Sequence, residues 1–141
     1  MRPRVFLDTN LFIYAFEFPR SNSKKIVDLL NQNKFEAIIS ERVIKEVTTY
    51  FQKYYSKDLA SGFRNYLLLG CTVIPASYVQ EEMSRYRGKI KEKDLEQLAV
   101  VKKLGLKYLV SYDRDFEPFE EYRTPKKFIQ ILNLEALEED F

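Results

Sequence analysis

The amino-acid sequence predicts an α/β fold: a central parallel sheet of about five strands with helices on both faces. Two observations carry this. Short apolar, β-branched runs such as Val5-Phe6-Leu7, Ala37-Ile38-Ile39 and Thr72-Val73-Ile74 alternate with longer segments whose apolar residues recur at helical spacing. The chain has 141 residues with no internal repeat, low-complexity tract or linker, which reads as one domain able to bury a core. Parallel strands need right-handed crossovers. Sites in such sheets form beyond the carboxyl ends of the strands, near the point where strand order reverses.

The elements follow in order. Arg4–Asp8 is read as the first strand, turning into a helix over Thr9–Phe16. Ser21–Asn33 places Ile26, Val27, Leu29 and Leu30 at helical spacing, with Ser21 or Ser23 as its cap. Phe35–Ser40 is the second strand. Glu41–Tyr55 and Lys57–Leu69 are helices, the latter stopped by Gly70. Cys71–Pro75 is the third strand, closed by its proline, and Ala76–Arg87 is helical. Glu92–Leu104 is a helix ended by Gly105, and Tyr108–Ser111 is the fourth strand. A short fifth strand falls near Tyr122–Thr124, after which Thr124-Pro125 opens a C-terminal helix.

Composition narrows the chemistry. Hydrophobic residues make up 45% and charged residues 31%, a globular balance. No apolar stretch is long enough to span a membrane, and the start runs into Asp8 without a secretory apolar region. The single cysteine, Cys71, lies in an apolar run and is read as a buried thiol, so a reducing cytoplasm is expected. With no His, hydrolase triads that use His and the usual zinc sites are excluded. Net charge is 23 − 21 = +2, which by itself predicts no nucleic-acid affinity.

Acidic residues carry the functional signal. Asp8 ends the first strand and Asp113 follows the fourth, so the two carboxylates converge if those strands are neighbours. Each alone reads as a helix cap or a turn former; at equivalent places they favour a site. Asp94 shares an apolar stripe with Leu98 and Val101 in the first turn of its helix, where a carboxylate also suits the helix N-terminus. Glu96 and Lys103 point to solvent on that reading. Glu46 borders the side of its helix that carries Val43, Val47, Tyr50 and Tyr54. Two unit charges about 4 Å apart repel by about 4 kcal/mol at an effective dielectric near 20. Gathering four carboxylates therefore calls for protonation or a divalent cation. Hard oxygen donors without His or paired Cys point to Mg²⁺ or Mn²⁺. Such an ion activates water and stabilises a leaving alkoxide, the needs of phosphodiester hydrolysis.

These residues also resemble a known family. Phe6-Leu7-Asp8-Thr9-Asn10 resembles the opening motif of PIN domains. Glu46, Asp94 followed by Gly105, and Asp113 within Ser111-Tyr112-Asp113-Arg114-Asp115-Phe116 are similar to the family's second, third and fourth acids. Thr124-Pro125-Lys126-Lys127-Phe128 is similar to its usual ending. The resemblance implies a three-layer α/β sandwich with strand order 3-2-1-4-5 and Mg²⁺- or Mn²⁺-dependent cleavage of single-stranded RNA. It further implies that Asp8, Asp94 and Asp113 hold metal and that Glu46 completes the set or orients water. Asn10 and Ser111 would hydrogen-bond the acids, with Asp115 as a supporting group or turn former. Short PIN proteins resemble VapC toxins, which implies a homodimer inhibited by an antitoxin; a stand-alone RNA-processing nuclease has the same length.

Arg85, Arg87, Lys89, Lys91 and Lys93 alternate just before Asp94 and are read as the RNA-backbone contact, or else as a solvated face. Tyr78 and Tyr86 are candidates for base stacking. Tyr50, Phe51, Tyr54 and Tyr55 are read as core or dimer surface. Three rivals remain. A haloacid-dehalogenase-like phosphatase would need a second Asp where Asn10 stands. A receiver-like domain lacks its acceptor and lysine pair. A non-catalytic RNA- or protein-binding module would tolerate neutral replacement of the acids.

Overall fold

In a computed structural model, residues 2–141 of the chain are described. All five strands are parallel and lie in the order β3-β2-β1-β4-β5. They are β1 (Arg4–Leu7), β2 (Glu36–Ser40), β3 (Cys71–Ile74), β4 (Tyr108–Val110) and β5 (Tyr122–Arg123). Consecutive residues Val5, Phe6 and Leu7 are all fully buried. Because side chains alternate between the faces of a strand, helices must cover both sides.

Seven helices do so: α1 (Thr9–Glu17), α2 (Asn22–Asn31), α3 (Glu41–Tyr54), α4 (Lys57–Gly70), α5 (Gln80–Tyr86), α6 (Glu92–Leu104) and α7 (Pro125–Ile131). Caps set several of their starts. Ser21, Ser40, Ser56 and Thr124 accept from the backbone N–H three residues on, opening α2, α3, α4 and α7. Gly105 ends α6 at φ +60°, the left-handed conformation expected of a glycine there.

Some sequence expectations are corrected. Gly70 does not stop α4; it is the helix's last residue, and Cys71 leads straight into β3 with extended backbone. The segment Ala76–Arg87 is divided: a 3₁₀ turn covers Ala76–Val79 and α5 begins at Gln80. Cys71 is only partly buried, though burial still pushes its thiol up to about 12. Glu96 does not face open solvent, because its carboxylate accepts from the backbone N–H of Arg42 at 3.0 Å and so ties α6 to the start of α3.

Two features position the site. The chain runs β1, β2, β3 in one direction and then jumps back so that β4 lies on the other side of β1. Strand order therefore reverses between β1 and β4. Asp8 N–H donates to the Val110 carbonyl (3.0 Å), continuing the ladder by one residue past β1. The C-terminal segment then returns to α2, where Asn22 both donates to the Leu137 and Glu139 carbonyls and accepts from Leu137 N–H. That return packs Phe141 against Tyr14, Phe18 and Tyr112. No described helix is long and apolar enough to cross a membrane.

Candidate active site

At the carboxyl ends of β1 and β4, acids from three parts of the chain meet. Asp8 lies one residue beyond β1 and caps α1 by accepting from Thr9 N–H at 2.8 Å. Its other oxygen accepts from the Ser111 hydroxyl at 2.7 Å. The same Ser111 oxygen accepts from Asp113 N–H at 2.9 Å and from the Asn10 amide at 3.4 Å. Ser111 therefore links the acid after β1 to the acid after β4. Asn10 supports that turn without touching an acid, since its carbonyl oxygen takes Tyr112 N–H at 3.1 Å.

Asp113 accepts from Asp115 N–H at 2.9 Å, which opens a short 3₁₀ turn over Arg114–Phe116. The helix-cap reading of Asp8 and the turn-forming reading of Asp113 thus both hold alongside their convergence. Asp94, buried in the first turn of α6, completes the cluster. One oxygen from each of Asp94, Asp113 and Asp115 lies within 4.8 Å of the others. Asp115, read from sequence as a supporting group, joins this closest trio. The Asp-x-Asp spacing was its signal, because a tight turn carries the second carboxylate back over the first.

Glu46 stands at the edge. Its carboxylate accepts from the Thr9 hydroxyl at 2.6 Å and pairs with Arg42 at 3.4 Å. Its charge reaches Asp8 and helps raise that residue's pKa.

The electrostatics record the crowding. Burial first, and then the charges of Glu46 and Asp94, push Asp8 up to about 6, although the Ser111 and Thr9 hydrogen bonds act the other way. Asp94 is likewise pushed up to about 6, by burial and then by the charge of Asp113. Burial also opposes ionisation of Asp113, but the Lys93 hydrogen bond and Asp115 N–H outweigh it and hold its pKa below the ordinary value.

A cation already answers this charge. The Lys93 ammonium lies 2.9 Å from Asp113, 3.2 Å from Asp94 and 3.9 Å from Asp115. Lys91 pairs with Asp115 at 3.2 Å. The donor set is all hard oxygen and converges on a positive group, so these residues fit a divalent cation. In the basic strip, Lys91 and Lys93 reach the acid cluster while 66% and 50% exposed, and Arg85 pairs with Glu81 and Arg87 with Glu92. Lys89 lies over the Tyr86 ring, and Tyr86 packs edge-on to Phe119.

A family model described as PIN domain matches residues 4–115. The chain belongs to the PIN-domain family. This is a family of nucleases, and the matched span takes in Asp8, Glu46, Asp94, Asp113 and Asp115. Comparison with curated proteins gives no significant match. Solved structures share the PIN fold across most of the chain. A toxin–antitoxin complex from Klebsiella pneumoniae superposes with a TM-score of 0.69 at 24% identity, covering 86% of this chain and 97% of that one. VapBC2 from Rickettsia felis, bound to a DNA fragment from its promoter, has a TM-score of 0.62 at 20% identity over 84% and 95%. VapC20 of Mycobacterium tuberculosis, a sarcin–ricin loop cleaving toxin, has a TM-score of 0.62 at 17% identity over 81% and 93%.

Proposed function

We propose that this PIN domain is a Mg²⁺- or Mn²⁺-dependent endoribonuclease of single-stranded RNA and the toxin of a type II toxin–antitoxin pair. The observation that carries the reading is the trio Asp94, Asp113 and Asp115 closed around the Lys93 ammonium, next to buried Asp8. Asp8, Asp94 and Asp113 would hold the ion, with Asp115 joining them from the convergent trio. When bound, a divalent ion neutralises these acids, polarises the scissile phosphate and activates water.

The chain's own groups do the rest. Thr9 N–H and the Ser111 hydroxyl fix the Asp8 carboxylate, one oxygen each. Glu46, oriented by the Thr9 hydroxyl, accepts a proton from the attacking water at its carboxylate. Lys93, half exposed on a flexible stem, moves aside for the ion and pairs with the phosphate instead. The toxin assignment draws on the Klebsiella, Rickettsia and Mycobacterium proteins and brings two further expectations: a homodimer and a small antitoxin that silences it.

The test is cleavage of a labelled single-stranded RNA with Mn²⁺ or Mg²⁺ against a chelator control, repeated with Asp8→Asn and Asp94→Asn. Both substitutions are expected to abolish cleavage. Undiminished cleavage by both variants would assign the chemistry to another group. For the toxin role, expression of this chain is expected to arrest growth, and co-expression of a small reading frame found beside its gene to relieve the arrest. Unimpaired growth together with metal-dependent cleavage favours a stand-alone RNA-processing nuclease.

A further inference from the structure

We propose that a groove along α3, running from Glu46 to Tyr54, is the track that delivers single-stranded RNA to the acid cluster. This rests on the nuclease reading and names a substrate surface for it. The groove has a volume of about 410 Å³ and is lined chiefly by Arg42, Lys45, Glu46, Tyr50, Lys53 and Tyr54. Arg42, Glu46, Tyr50 and Lys53 recur every three or four residues, so they form one face of the helix. Glu46 and Tyr54 are separated by two helical turns, about 12 Å along the axis. The groove's near end is Glu46, whose hydrogen bond to Thr9 ties it to the residue after Asp8.

Charge marks this face. Of the five basic residues preceding Asp94, four pair at the surface with the protein's own carboxylates: Arg85 with Glu81, Arg87 with Glu92, and Lys91 and Lys93 with the acid cluster. Lys45 and Lys53 are exposed and make no ion pair among the described residues. Lys45 and Lys53 therefore add unpaired positive charge on α3 to what Lys89 and a released Lys93 supply from the strip.

The aromatics fit the same ligand. Tyr54 is 60% exposed, far more than packing would leave a large ring. It touches Tyr50 at a tilt of 47°, with ring centroids 4.8 Å apart. Tyr50 in turn is anchored by its hydroxyl, which donates to Glu17. Tyr54 is thus an exposed ring with one tilted aromatic neighbour and the Lys53 ammonium over it, 5.2 Å from its centroid, where a phosphate can draw the ammonium off. A ring beside a phosphate-binding cation is what an unstacked base requires, and it tolerates any base. Single-stranded RNA meets these conditions; a duplex does not offer an open base face.

The experiment measures binding of a labelled oligouridine RNA by fluorescence anisotropy, using the whole protein in chelator so that cleavage is off. Removing both lysines, Lys45→Ala with Lys53→Ala, is expected to reduce the slope of log affinity against log salt by about 1.4. Tyr54→Ala is expected to weaken binding by about five- to a hundred-fold, and Tyr54→Phe to bind as the parent does. Metal-dependent cleavage by the parent protein tests the nuclease reading separately. Cleavage by the parent with unchanged RNA affinity and salt slope in every α3 variant overturns the track and leaves the nuclease standing. Lost binding in the variants without cleavage by the parent supports the track and removes the nuclease. A Tyr54→Ala protein that changes from dimer to monomer while keeping its RNA affinity makes this face a subunit interface and overturns the proposal.

Discussion

Replacing Asp94 by Asn is expected to stabilise the metal-free protein at neutral pH. The Asp94 carboxyl is 3% exposed, and burial with the nearby charge of Asp113 raises its pKa from 3.8 to about 6. A raised carboxyl pKa means that the folded chain holds the proton more tightly than the unfolded chain. Stability is therefore greatest below about pH 4, falls as pH rises through about 6, and stays lower above it. The full difference corresponds to about 3 kcal/mol at neutral pH. Asn carries no charge and is spared this cost, in which the favourable half-exposed pairing with Lys93 is already counted. The gain is about 2–3 kcal/mol, which for a chain of this length raises the melting temperature by about 6–9 °C. The assay is thermal unfolding of parent and variant in chelator from about pH 4.5 to about pH 7.5, with the gap closing on acidification. Added Mn²⁺ is expected to raise the parent's melting temperature far more than the variant's, because only the parent keeps the ligand. A variant that melts below the parent at neutral pH, or a gap that ignores pH, would refute the charge-crowding account.

Three further perturbations separate the parts of the site. Ser111→Ala removes the hydroxyl that donates to Asp8 and accepts from Asp113 N–H. It is expected to cost about 2–3 kcal/mol in denaturant unfolding and to weaken Mn²⁺ binding at least about ten-fold; an unchanged Mn²⁺ titration would reduce Ser111 to a packing residue. Lys93→Met removes the internal counter-ion, so the metal-free protein is expected to melt lower while binding Mn²⁺ more tightly; weaker binding in that variant would make Lys93 a partner of the ion rather than its competitor. Glu96→Ala removes the acceptor for Arg42 N–H at the start of α3 and is expected to cost about 1 kcal/mol, read as a lower denaturant midpoint with unchanged Mn²⁺ affinity.

Much of the fold was legible because local signals agree with the tertiary arrangement. The serine caps of α2, α3 and α4, Gly105 at φ +60° and Pro125 at the start of α7 all act within a few residues of sequence. Gly70 misled because a glycine ends a helix by adopting left-handed backbone, and here the chain passes directly from helix to strand with no turn that needs it. The acids were visible as strand-end and helix-start positions. The ion pairs of the basic strip were not, because where Lys91 and Lys93 point depends on Asp113 and Asp115, about twenty residues downstream. Alternating charge in a loop-to-helix segment looks solvated until the fold shows what lies above it. Glu96 is the same case: its partner, Arg42 N–H, is 54 residues away. Sequence left Tyr54 between core and surface, since the spacing that buries Phe51 does not say where the next helix stops covering the face.

Strand register and charge make separate contributions to the site. Pairing of Phe6 with Leu109 and Leu7 with Val110 brings Asp8 level with Ser111, and everything that follows inherits that alignment. A slip of one residue would carry the Asp8 carboxylate away from Ser111 and swap the differently shaped side chains of Val5, Phe6 and Leu7 between two packed faces, so core packing holds Asp8 in place. The apolar residues thus supply the geometry, and the carboxylates oppose it by their repulsion. Lys93 relieves part of that repulsion from within the chain, but it is half exposed and reaches the cluster from one side only. A divalent ion relieves more of it by contacting several oxygens at once. A site assembled by the core and strained by its own charge is poised to bind such an ion without rearranging the sheet. Metal should therefore change the melting temperature and the Lys93 side chain while leaving the β1–β4 register as it stands.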